Sequence, residues 1–379
     1  MRNLLIFLIL LLLLSRIPDG LYAQLKELRQ DVYIKEEYHY LSVPKVATFT
    51  VYDSLDCAFK CLRNPSCLSI NLAASKGADG KLWCELLSSE KYSNPKEYKR
   101  NKSFHHFFQM SPCMSSPCQN GGTCVANYKN YNSMECHCKE GFFGEFCETV
   151  AKSCQVVYDH LSEKLNGTHL VTLILDSEPI SILCHFNLRD FGCGDGGWTP
   201  VMKMDGNKST FRYDDNIWKS RRALNRDGGK TGFDSQETKL PSYWSTSFSK
   251  ICLGIKIGQQ PVRFIVINKL ANSLYSLIAD GQYRGTSLGR DKWKSLIGSE
   301  ASFQKNCNKE GFNVKPSGGS YYRTRIGILG NNEDNCGNCD SVIGFGNSGY
   351  LGNYCGNLAP FKADNGDKNI TGIGYVLVQ

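Results

Sequence analysis

Cysteine is the residue type whose spacing in this chain can do the most chemistry. Eighteen are present, in three runs: Cys57, Cys61, Cys67 and Cys84; then Cys113, Cys118, Cys124, Cys136, Cys138 and Cys147; then Cys154, Cys184, Cys193, Cys252, Cys307, Cys336, Cys339 and Cys355. Thiols at such density either bridge one another in an oxidising compartment or hold zinc. The middle run has no Cys-x-x-Cys pair, and its only histidine is His137, which argues against zinc. Every run is even, so each is expected to close its own bridges and leave no thiol, Cys336-x-x-Cys339 included.

Other constellations are weaker. Gly192-x-Gly194-x-x-Gly197 has the spacing of a dinucleotide-binding turn, but Trp198-Thr-Pro200 follows where a helix would have to start. Neither a Gly-x-Ser-x-Gly elbow nor a His-Glu-x-x-His helix occurs. Asp214 and Asp215 are adjacent, so on a strand they point apart and cannot flank one bond. Asn331, Asn332, Glu333, Asp334 and Asn335 with Asp340, or Asp364 with Asp367, offer oxygens to calcium, yet the same residue types build turns. The chain is expected to be no enzyme and to carry no cofactor.

The elements that must position these residues begin with a leader. Arg2 precedes eleven apolar residues, Leu4 to Leu14, and Ala23 offers a cleavage site before Gln24. That run is too short to span a bilayer, and no later one approaches it, so a secreted chain is expected, with residues 1–23 removed. Tyr38 to Tyr52 reads as strand, and Ser54 as the cap of a helix that Asn64-Pro65 ends. Cys57 and Cys61 fall on one face of that helix. Val171 to Cys184 alternates as a strand does, and further strands are expected near Ile251–Ile257 and Val262–Asn268.

The middle run, with intervals of four, five, eleven, one and eight residues and Gly141-Phe142 before its last cysteine, resembles an EGF-like module. About 35 residues cannot bury enough apolar surface to fold without staples. Six cysteines allow 15 pairings; the resemblance implies Cys113–Cys124, Cys118–Cys136 and Cys138–Cys147. It also implies sugar acceptors at Ser115 and Thr123. The lead-in Gln109, Met110, Ser111 and Pro112 lacks the acidic ligands of calcium-binding relatives.

The first run, a helical Cys-x-x-x-Cys followed by Cys67 and Cys84, resembles the PAN/apple fold and implies one helix on a small antiparallel sheet with Cys57–Cys84 and Cys61–Cys67. Gly196-Gly-Trp198-Thr one strand past Cys184 resembles the entry of fibrinogen-related domains and implies Cys154–Cys184. Gly346 to Tyr350, leading into Cys355-Gly-Asn357, resembles their ligand edge, so Tyr350, Asn353, Tyr354 and Asn357 are the candidate ligand-binding residues. The family's Asp-x-Asp calcium pair falls here on Leu329 and Asn331, or on Ile326 and Ile328, and no histidine follows His185 to hold a sugar through calcium. The fold class is thus a multidomain, disulfide-rich secreted chain. A small α+β apple domain (24–110) and a small β EGF-like domain (111–150) precede a larger α+β fibrinogen-related domain (151–379). This order resembles the skeletal organic matrix proteins of stony corals, most strongly over Gly196–Gly206 and Gly311–Gln379.

The formal charge of +8 is concentrated late: residues 151–379 hold 27 basic and 21 acidic side chains. Lys219, Arg221, Arg222, Arg226 and Lys230 are the densest basic run and the candidate anion contact. Partners are expected among extracellular glycans, acidic matrix polymers and matrix proteins; the charge density is too low for nucleic acid, and without an acidic run direct mineral templating is not expected. Asn101, Asn166, Asn207 and Asn369 head N-glycosylation sequons. A structural and adhesive matrix protein is the leading reading. The alternatives are a soluble glycan-recognising lectin and a receptor ligand that uses the EGF-like module.

Overall fold

A computed structural model describes residues 33–109, 111–127, 133–161, 165–319, 321–348 and 351–379, so the leader and Tyr350 lie outside the described residues. The chain is mostly β with few short helices, and forms two compact units. The first ends at Cys138 and takes in Glu145–Cys147; the second comprises Lys139–Gly144 and Glu148–Gln379. The division passes through the Cys138–Cys147 loop rather than at residue 150. Within the second unit the reason is plain: Phe142–Phe143 pairs with Thr149–Val150, and Gly141 O accepts from the N–H of Ala151 at 2.9 Å.

In the first unit, five antiparallel strands lie in the order Tyr33–Glu36, Phe104–Gln109, Ser69–Ala73, Leu82–Leu87, Lys45–Val51. The expected long strand Tyr38–Tyr52 is two, His39–Leu41 and Lys45–Val51, and Pro44 between them lacks the N–H a ladder needs. Helix Ser54–Leu62 packs on the sheet, capped by Asp53 rather than Ser54: the Asp53 carboxylate accepts from the Asp56 N–H at 2.9 Å. Cys57–Cys84 fastens the helix to strand Leu82–Leu87 and Cys61–Cys67 closes its exit. Val51, Ile70, Leu72 and Leu86 fill the space between. In the cysteine-rich stretch that follows, Thr123–Asn127 pairs with Ser133–His137, and among the described residues Cys113, Cys124 and Ala126 form a small buried cluster. Cys113–Cys124, Cys118–Cys136 and Cys138–Cys147 hold it together.

Besides the short ribbon of Phe142–Phe143 with Thr149–Val150, the second unit has two larger antiparallel sheets. Strands Gly167–Leu175, Glu178–Leu188, Gly194–Asp205, Ile373–Val378, Phe248–Lys256 and Arg263–Ala271 follow one another in the first, with Thr238–Lys239 paired off-path to Gly194–Asp205. The expected strand Val171–Cys184 is a hairpin. Asp176 and Ser177, at φ 54° and 66°, make the two-residue turn whose twist suits antiparallel strands. Cys154–Cys184 and Cys193–Cys252 brace this sheet. The second is a meander of Arg284–Gly285, Asn306–Val314, Arg323–Asn331, Ser341–Ser348, Cys355–Ala359 and Lys368–Thr371. The largest core, with Trp218, Tyr243, Trp293, Phe303 and Phe345, contains residues of both sheets.

Candidate ligand-binding cleft

Strand Glu178–Leu188 positions the side chains that make a site in the second unit. His185 pairs with Thr168 on one side and Trp198 on the other. Past Phe186 the register slips, and Asn187 sits at the slip with φ 56°, a conformation asparagine tolerates better than most. Its Nδ2 donates to Leu165 O at 2.9 Å and to Asn166 Oδ1, while its Oδ1 accepts from the Gly196 N–H at 3.0 Å. One amide thus ties the Leu165–Asn166 segment and the start of strand Gly194–Asp205 to its own strand. The chain then turns through Arg189–Phe191, closed by Gly192 at φ 81°, which leaves Arg189, Asp190 and Phe191 exposed. Arg189 makes a two-pronged pair with Asp195, Nε to Oδ1 at 2.9 Å and Nη2 to Oδ2. That hydrogen-bonded pairing holds the Asp195 carboxyl below the usual range and raises Arg189.

These groups edge an open cleft of about 810 Å³ with Tyr158, Phe191 and Phe233 in its walls. Phe233 stacks on His185 at 4.5 Å between ring centroids and meets Phe264 at 5.2 Å and Tyr375 at 4.9 Å. His185 is 3% exposed, and its Nδ1 has no hydrogen-bond partner among the described residues. Burial first, and the Lys203 ammonium second, push its pKa down to about 4, so the ring is neutral at neutral pH. Lys203 is itself held by Thr231 Oγ1 at 2.8 Å and by the Asp234 carboxylate. Aromatic faces beside a fixed donor–acceptor pair suit the C–H faces and hydroxyls of a sugar ring. With Arg189 already matched by Asp195 and the exposed Asp190 carboxylate also in its lining, the cleft is suited to hydroxyls more than to anions.

Of the four residues expected to form a ligand edge, the two asparagines are turned inward. Asn357 is fully buried, accepting from the Ser302 N–H at 2.9 Å and donating to Ser302 O at 2.8 Å. Asn353 is 1% exposed, its Nδ2 donating to Asn357 O, Asn369 Oδ1 and Ile370 O. Both asparagines lock backbone rather than face a ligand. Tyr354 is half-buried, and Tyr350 lies outside the described residues. Lys219, Arg221, Arg222, Arg226 and Lys230 are all exposed, but Lys230 pairs with Asp227 at 2.7 Å and the Arg221 guanidinium lies 5.0 Å from the Tyr275 ring. Buried Lys239 carries their loop, donating to Ile217 O and Ser220 O at 2.5 Å each.

Asn166, Asn207 and Asn369 are exposed and Asn101 is half-buried. Asn166 lines the cleft, and Thr371, the hydroxyl of the Asn369 sequon, donates to Asn207 Oδ1 at 2.8 Å. Ser115 is exposed and Thr123 half-buried. Asp364 accepts from the Phe303 N–H at 2.8 Å and pairs with Arg290 and Lys294; Asp367 accepts from the Lys362 N–H at 2.6 Å. Among the described residues no three His, Cys, Asp or Glu side chains are grouped to hold a metal ion. The Gly192–Gly197 spacing leads into strand Gly194–Asp205, not a helix. One expectation fails outright: Cys307 bonds Cys336, while Cys339 and Cys355 are buried thiols.

Residues 113–146 match the model of the EGF-like domain, and the bridges within and just past that span join the first cysteine to the third, the second to the fourth and the fifth to the sixth. This segment is an EGF-like domain. Its lead-in is neutral: Ser111 Oγ accepts from the Cys113 N–H at 3.2 Å. A cubilin homolog of Caenorhabditis elegans is similar to this chain, 46% identical over 76 residues, which is 20% of this chain and 2% of that protein. The EGF-like domain and the bridges in both units fit an extracellular, multidomain protein. Among the described residues no helix is long and apolar enough to cross a membrane.

Proposed function

We propose that the protein is an extracellular structural and adhesive component, not a catalyst, whose second unit holds a saccharide in the His185 cleft. The observation that carries this is the cleft itself: Tyr158, Phe191 and Phe233 beside the Arg189–Asp195 pair. A helix pinned to an antiparallel sheet by Cys57–Cys84 supports an apple-type head over residues 33–109. The Cys154–Cys184 bridge ahead of the Gly-Gly-Trp198 strand supports a fibrinogen-related second head. Two weak heads on one chain gain effective concentration, which suits holding a matrix together, including one that surrounds mineral.

The test uses the secreted full chain against a panel of neutral and sulfated glycans at low and high salt. Binding through the cleft should survive high salt and fall about tenfold in Phe191→Ala, which removes one aromatic wall. A second reading, contact with acidic polymers, is favoured by the exposed cations from Lys219 to Arg226. It requires binding that fades with salt, because exposed charges are screened within about 10 Å at 0.1 M, and that is lost on replacing Arg221 and Arg222 by Ser. Salt-sensitive binding untouched by Phe191→Ala would sink the cleft. Preference for one terminal sugar would point to a recognition lectin, and broad binding to a matrix role.

A further inference from the structure

Three sulfurs meet at one edge of the meander sheet. Cys307 lies where the pairing of Asn306–Val314 with Arg323–Asn331 slips, and it and Asn308 take φ values of 64° and 52°. It is bonded to Cys336, and the Cys339 Sγ lies 3.8 Å from the Cys307 Sγ, within contact of the existing bond. Cys355 cannot join them. It sits opposite Phe345, six residues past Cys339, which at about 3.3 Å per strand residue is far beyond the reach of a disulfide. Burial differs sharply between the sulfurs: Cys339 is fully buried, whereas Cys336 is half-buried in a turn beside exposed Asn335 and Asn338.

We propose that Cys307, Cys336 and Cys339 form an exchange site that presents Cys336 for modification by small-molecule disulfides. The Cys339 thiolate attacks the Cys307 Sγ, the Cys307–Cys339 bond forms, and the electron pair of the old bond leaves with Cys336, which takes up the proton Cys339 gave up. This step needs no oxidant and conserves one bridge and one thiol. The thiol has moved from the interior to the turn. There it attacks a disulfide such as oxidised glutathione, giving a mixed disulfide on Cys336 and one equivalent of reduced glutathione. Burial, opposed by nearby Lys309 and reinforced by Asp340, raises the Cys339 thiol to about 11, so the first step is slow at neutral pH and quickens with each unit of pH.

The test incubates the full chain, without reductant, with oxidised glutathione at pH 7.5 and 9, quenches with acid and maps the bridges by mass. The expected result is glutathione on Cys336 together with a Cys307–Cys339 bridge, formed on the order of tenfold faster per pH unit. Cys339→Ser should keep Cys307–Cys336 and take no adduct. Cys336→Ser should form Cys307–Cys339 and likewise take none. If either serine variant fails to fold, the native map alone decides. An adduct on Cys339 with Cys307–Cys336 intact would overturn the proposal. So would no adduct at pH 9 in a chain that is modified once unfolded in denaturant. Buried Cys355 must stay unmodified throughout, which reports that the fold is intact.

Discussion

His185 and Lys239 are two buried bases whose protonation the fold resists, with consequences at opposite ends of the pH scale. The folded pKa of His185 is about 4, below the ordinary 6.5, so between those values the unfolded chain binds more protons. Stability of the second unit should therefore fall as pH drops from about 6.5 towards 4. His185→Phe keeps an aromatic ring against Phe233 and cannot titrate. Its unfolding free energy, read from denaturant titrations, should vary less across that window, by roughly 3 kcal/mol in total. A variant with the same acid slope as the native chain would place the titrating group elsewhere. Lys239 carries its ammonium without a carboxylate, and burial lowers its pKa to about 8. Here the unfolded state binds more protons from about pH 8 to the ordinary value of 10.5, so stability should rise with pH in that interval. Lys239→Met should lose this alkaline gain while losing its hold on Ile217 O and Ser220 O. Following both proteins by urea unfolding at pH 7.5 and 9.5 tests the sign.

Among the elements, the hairpin edge that presents the cleft depends on Asn187. Asn187→Ala loses three hydrogen bonds and puts a Cβ-bearing residue without a compensating side chain at φ 56°, and should cost about 2–4 kcal/mol. Asn187→Gly loses the same bonds without the backbone strain, so it should be milder by about 1 kcal/mol. Thermal unfolding ranks the two, and the reverse order would mean the slip is held by something other than this amide. Local signals in the sequence carried far: cysteine spacing marked the EGF-like domain, and the strands expected near Ile251 and Val262 are present as Phe248–Lys256 and Arg263–Ala271. Local signals also misled at fine scale. Ser54 and Asp53 are equally good caps on paper, and only the approach of the backbone selects Asp53. Val171–Cys184 alternates on both sides of Asp176-Ser177, a turn pair without the glycine that usually advertises it. The cleft was not legible at all, because Phe233 reaches His185 from a distant loop and no spacing records that meeting. Asn353 and Asn357 misled for the converse reason, since a polar residue beside an aromatic reads the same whether its amide serves a ligand or a backbone.

For the molecule as a whole, the two units rest on different kinds of support. Among its described residues the EGF-like domain has a very small core, so replacing Cys118 and Cys136 by Ala should cost on the order of 3 kcal/mol and open residues 113–138 to protease. Limited proteolysis of the variant checks this, and a segment 113–138 as resistant as in the native chain would mean that this bridge is not its main support. The second unit has its own vulnerability. Strand Ile373–Val378 lies between Gly194–Asp205 and Phe248–Lys256, hydrogen-bonded to both. On the ribosome those outer strands emerge well over a hundred residues before the piece that joins them. At roughly 5–20 residues per second this leaves two facing strand edges open for on the order of ten seconds. Such edges pair with whatever strand comes near, and neighbouring nascent chains carry the same ones. A chain released before Ile373 would stay in that state permanently. Its yield should therefore be governed less by the strength of its bridges than by the chaperones that shield the gap during synthesis.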